Sequence, residues 1–103
     1  MSAMTTITGA WSSDANGWVS EMLTLTGDIW IEVTLPSKGR LVIKKSESAD
    51  GPWPKAMITP WTGPDFKIRI RHGVDTMTGD TPKSRYIKII TTETPISIKY
   101  ANI

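Results

Sequence analysis

Ile29-Trp30-Ile31-Glu32-Val33-Thr34-Leu35 sets Ile29, Ile31, Val33 and Leu35 on one side of an extended chain and Trp30, Glu32 and Thr34 on the other. Successive side chains of a strand point to opposite faces, so this period of two predicts a β-strand with one face hidden. The flanking sequence repeats the theme. Past Pro36-Ser37-Lys38-Gly39, residues 40–45 (RLVIKK) put Leu41 and Ile43 opposite Val42 and Lys44, which predicts the second arm of a hairpin closed by a Gly-containing loop. Residues 66–71 alternate Phe66, Ile68 and Ile70 with Lys67, Arg69 and Arg71, an apolar face backed by a basic one. Residues 85–90 (RYIKII) and 96–103 (ISIKYANI) add two more strands, and weaker ones are expected over 5–11, 19–26 and 55–59.

Seven Pro and eight Gly punctuate the spaces between these runs, and no stretch sustains the 3.6-residue period of an amphipathic helix. Short alternating strands separated by turn residues predict an all-β fold with very little helix. The expected form is a small antiparallel β-sandwich, jelly-roll-like or Ig-like, of about six to eight strands. Residues 27–103 are expected to form the sandwich core and residues 1–26 an N-terminal arm or edge strands, within a single domain. The longest interval without a strand signal, 74–84, is expected to be an exposed loop.

At 103 residues, with 39% hydrophobic and 21% charged, the chain can bury one modest core. It has no cysteine, so packing alone must hold it, and nothing points to an oxidising compartment. The first residues, Met1-Ser2-Ala3-Met4-Thr5-Thr6, lack the basic start and apolar run of a secretory signal. No window approaches the apolar run of about 20 residues that crosses a bilayer, so a soluble protein made in the cytoplasm, with no membrane partner, is expected. Twelve Lys and Arg against ten Asp and Glu give a mild +2 with no basic block.

Catalysis needs a nucleophile or an acid–base pair, and the chain offers one histidine and no cysteine. His72, beside Gly73 at a strand end, reads as a solvated turn histidine. The Asp residues mostly neighbour Gly or Pro, where the side chain serves a turn. Asp75 and Asp80 flank Thr76-Met77-Thr78-Gly79 without the alternating oxygen ligands of a calcium loop. There is no phosphate loop, no paired Cys and His ligands and no serine elbow, so neither an enzyme nor a cofactor or metal site is expected. The five tryptophans remain: Trp11, Trp18, Trp30, Trp53 and Trp61. Each must be buried, covered by a partner or used on a ligand. Trp30 lies opposite the aliphatic side of its strand. Trp53 and Trp61 sit in Pro-bounded turns, where they either cap the ends of the sandwich, stack on a sugar or meet another protein. The basic face of Lys67, Arg69 and Arg71 reads as solvated, since single-stranded nucleic acid requires exposed aromatics on the same face.

Residues 41–53 (LVIKKSESADGPW), followed by 66–70 (FKIRI) and 85–89 (RYIKI), resemble small β-sandwich virion proteins of tailed bacteriophages. In these a strand leads into a Ser-x-Asp-Gly-x-Trp turn and a later Arg-Tyr strand precedes a C-terminal one. The resemblance runs from Gly27 onward. Ser48, Asp50, Gly51, Trp53, Arg85 and Tyr86 also match discoidin-like carbohydrate-binding domains, although the chain is too short for a complete one. The phage resemblance implies a capsid decoration or cement protein, or a head-fibre relative. Such a protein would work in the virion as a homo-oligomer bound to the major capsid protein at subunit junctions. The discoidin-like turn implies the alternative, a carbohydrate-binding module of a tail or head fibre that takes a surface glycan.

Overall fold

Strand β5 (Ile29–Thr34) buries Ile29, Ile31 and Val33 and turns Trp30, Glu32 and Thr34 outward, as its alternation predicts. The structure, a computed structural model, describes residues 3–46, 48–53, 55–59, 61, 63–70 and 85–103. Arg71, His72, Asp75, Asp80 and the expected 74–84 loop lie outside the described residues.

Two antiparallel sheets enclose one core, with no helix among the described residues. In the first sheet β1 (Thr5–Thr6), β10 (Ser97–Asn102), β5 and β8 (Asp65–Ile70) follow in that order. The second runs β2 (Gly9–Ser12), β3 (Gly17–Ser20), β9 (Tyr86–Thr91), β6 (Leu41–Ser46) and β7 (Lys55–Ile58), with β4 (Leu23–Thr24) also pairing β9. Ten strand segments result among the described residues, because the expected 5–11 strand divides into β1 and β2 and the 19–26 strand into β3 and β4.

Interior rows cross each sheet. Ile98, Val33 and Phe66 are register partners in the first, as are Ile29 and Ile70. In the second, Ile43 faces Ile89, and Leu41 and Trp18 flank Thr91. All of these are buried in one continuous cluster, apart from the equally buried hydroxyl residue Thr91. Residues before Gly27 contribute to both sheets and to the core through Ile7, Trp18, Leu23 and Leu25.

The expected hairpin of 29–35 with 40–45 does not form. β5 pairs with β10 and β8, while β6 pairs with β7 and β9 in the opposite sheet. β5 carries an inner face of Ile29, Ile31 and Val33 and β6 one of Leu41 and Ile43 continued by buried Lys45, and side by side those faces would still need a cover. Placed in opposite sheets, they cover each other. The crossing begins at buried Leu35, whose N–H donates to the Pro64 carbonyl at 2.9 Å.

Along one side of β9, β3 pairs with Ile90 and Thr91 while β4 pairs with Tyr86 and Ile87. The gap leaves the Ile89 N–H facing no backbone partner, and the buried Ser20 hydroxyl accepts it at 2.8 Å while donating to the Glu21 carbonyl at 2.8 Å. A side chain thus completes the ladder where the strand breaks.

Replacing Ser20 by Ala orphans a buried N–H and should lower stability by about 1–3 kcal/mol in urea denaturation. Ile43→Ala, which empties a fully buried site in the interior row, should cost about 2–5 kcal/mol by the same measurement. Losses within a few tenths of a kcal/mol in both would contradict the packing described.

Candidate functional site

The five tryptophans occupy different environments. Trp18 belongs to the core, 6% exposed, and not to the surface where a binding residue is expected; its parity on β3 points it inward beside Thr91. Its ring lies across β2 at Gly9, where an added Cβ would collide with the indole. Trp11 faces it from the edge strand β2 and is 53% exposed. Trp30 is half-buried on the outer face of the four-stranded sheet, between Ala101 and Arg69.

Trp53 stands by Lys88 of β9, and Trp61 by Arg40, the residue before β6. The Lys88 ammonium lies 4.8 Å from the Trp53 ring centroid, and the Arg40 guanidinium 5.2 Å from that of Trp61. Trp53 is positioned by the turn that follows β6. There Ser46 Oγ donates to the Ser48 carbonyl at 2.7 Å, and the Gly51 N–H donates to the same carbonyl at 3.0 Å. Gly51 has φ +83°, and a Cβ there would lie 3.0 Å from Trp53 Cδ1, so glycine is required by backbone and ring alike.

The solvent faces of the two sheets differ in charge. On the four-stranded sheet Glu32 lies directly between Lys99 and Lys67. Thr34 Oγ1 donates to Asp65 at 3.0 Å, and Arg69 pairs with Asp28 at 2.8 Å. Arg69 is thus answered by Asp28, and Lys67 and Lys99 by Glu32 between them. The stripe read as basic is balanced where it is described, and Lys44 and Lys88 belong to the other sheet.

On the six-stranded sheet one outward row is apolar across every strand of the path: Ala10, Val19, Ile90, Val42 and Ile58 are successive register partners. With strands about 4.8 Å apart, the row is about 19 Å long. Ala10 is exposed, Ile58 is 55% exposed, and the middle three are half-buried. To one side of the row Lys44 and Lys88 are direct cross-strand partners; to the other stands exposed Arg40. β2, β3, β4, β6, β7 and β9 contain no Asp or Glu at all. A hollow of about 120 Å³, lined by Val42, Ile90, Arg40, Thr92 and the β2–β3 turn residues Ala15 and Asn16, opens beside the row.

Among the described residues no three His, Asp or Glu side chains gather to hold a metal ion, and no helix is long and apolar enough to cross a membrane. The apolar row escaped sequence reasoning, although its signal was present. Leu41-Val42-Ile43 and Ile89-Ile90 are consecutive apolar residues, and a strand that carries such a run is apolar on both faces. Comparison with known proteins matches no family model, no curated protein and no solved structure.

Like charges directly opposite on neighbouring strands destabilise a sheet. Lys44→Glu converts the Lys44–Lys88 pair into an opposite-charge pair, so it should raise stability by about 0.2–1 kcal/mol in urea denaturation at low salt and lose that gain in high salt. A destabilised variant would show that the two ammonium groups do not oppose each other.

Proposed function

We propose that this chain is a non-enzymatic structural protein of a bacteriophage virion, a decoration or cement subunit that docks on the outer capsid in many copies. The observation that carries the reading is the apolar row Ala10–Val19–Ile90–Val42–Ile58, flanked by cations with no acid among the strands that hold it. A sheet whose outer side has only to meet water alternates polar residues there. Continuous exposed apolar area marks a surface that something else covers. The two-sheet fold is the one the phage resemblance implies, and a docking role asks for a rigid face and no reactive group.

The carbohydrate-binding alternative has less support from the geometry. A sugar stacks on an open indole face, whereas Trp53 is half-buried with Lys88 over its ring and Trp61 carries Arg40.

Quantitative mass spectrometry of purified virions from the phage that encodes the chain should find it in many copies per particle, and cryo-electron microscopy should place it on the outer shell. Absence from the particles would end the proposal. A broad glycan array should stay silent; strong signal lost on Trp53→Ala or Trp61→Ala, with the fold intact, would replace it with the glycan reading.

A further inference from the structure

We infer that the solvent face of the six-stranded sheet is the docking surface and that its occupant is an acidic protein surface, an extended segment or ridge of aliphatic side chains bordered by carboxylates. This names the partner chemistry for the role proposed above and rests on that reading for which protein supplies the segment.

Charge and register both point there. Arg40 stands on one side of the apolar row and Lys44 with Lys88 on the other, so a partner strand laid along the row meets cations on both flanks. Lys44 and Lys88 repel each other in the free protein, and carboxylates placed between them would turn that repulsion into attraction. The four-stranded sheet has no such demand, because Glu32 lies between Lys67 and Lys99 and Asp28 pairs with Arg69.

Other occupants fit less well. A second copy docked face to face would set Arg40, Lys44 and Lys88 against their own equivalents, and a second copy's four-stranded face offers balanced charge, not excess acid. Single-stranded nucleic acid stacks its bases on aromatic rings. Here the centre of the face is aliphatic, and the flanking indoles already carry Lys88 and Arg40. The face spans about 19 Å across the strands and about 20 Å along six residues, roughly 400 Å². A stable interface takes about 800 Å² from each partner, so one copy should bind weakly and an array of copies tightly.

The test is an NMR titration of the isotope-labelled full chain with a synthetic peptide of alternating Val and Glu, a matching Val and Lys peptide, and oligo-dT. The Val and Glu peptide should shift the amides of Val19, Val42, Ile58 and Ile90 and leave those of Glu32, Lys67 and Lys99 in place. Lys44→Glu with Lys88→Glu should weaken that binding about tenfold or more, while Lys67→Glu with Lys99→Glu should change it by less than about twofold. Ile58→Ser, at an exposed edge position, tests the apolar part without touching the core, and should also weaken binding severalfold. Well-dispersed spectra of each variant separate lost binding from lost fold. Shifts on the four-stranded face, no shifts at all, equal response to the Val and Lys peptide, or tighter binding of oligo-dT would each overturn the inference. Absence from virions with these shifts intact removes the capsid reading alone, and presence in virions without them removes the assigned face alone.

Discussion

Every long strand of this protein has to hide alternate residues, and a single sheet gives it nowhere to hide them. With no cysteine and no helix among the described residues, the two sheets are each other's cover. Ile29, Ile31 and Val33 from one sheet and Leu41, Ile43, Ile87 and Ile89 from the other fill one interior. Much else follows from this constraint. β5 and β6 part company after Leu35 because the two faces must oppose each other. Trp18 is drawn inside by the parity of β3, and Gly9 keeps β2 clear of its ring. Where β3 and β4 fail to form one continuous strand, the Ser20 hydroxyl keeps the buried Ile89 amide bonded, and the sheet stays dry.

Once the interior is settled, the two outer faces are free to serve different ends. The four-stranded sheet is finished for water: its cations have acids opposite or beside them, and Thr34 and Ser97 supply hydroxyls. The six-stranded sheet leaves Lys44 facing Lys88 across a ladder and lays an aliphatic row through its middle. Both features work against the isolated fold, the first by repulsion and the second by exposing apolar area. Local conflict of this kind in an otherwise consistent sheet is where binding surfaces are found. Lys88 and Arg40 also hold the Trp53 and Trp61 indoles beside β9 and the start of β6.

The sequence made the fold class legible because periodicity records burial directly: 29–35, 66–70 and 85–90 each alternate as their strands do. Pairing was not legible. Periodicity tells which face of a strand is hidden but not which neighbour lies beside it, so two strands close in sequence looked like a hairpin. The same gap made the basic stripe look unbalanced, since Glu32 and Asp28 come opposite or beside Lys67 and Arg69 only through the β5–β8 register. Nor did anything but parity with Leu41 and Ile43 mark Lys45 as a buried residue. The apolar row was hidden for a related reason: its five members come from five strands, and only the registers of two sheet edges and the centre bring them into line.

The position of β10 bears on how the molecule comes into being. The last strand in chain order lies between β1 and β5, pairing Thr5 with Tyr100 and Ile31 with the same residue from the other side. Until β10 has paired, the four-stranded sheet lacks an interior member and the Ile29, Ile31 and Val33 face has only half its frame. Assembly of the native state is therefore dominated by distant pairings, the topology that folds in milliseconds to seconds and not in microseconds. Until that closing pairing is made, the facing edges of β1 and β5 stand open and the interior lacks Ile98.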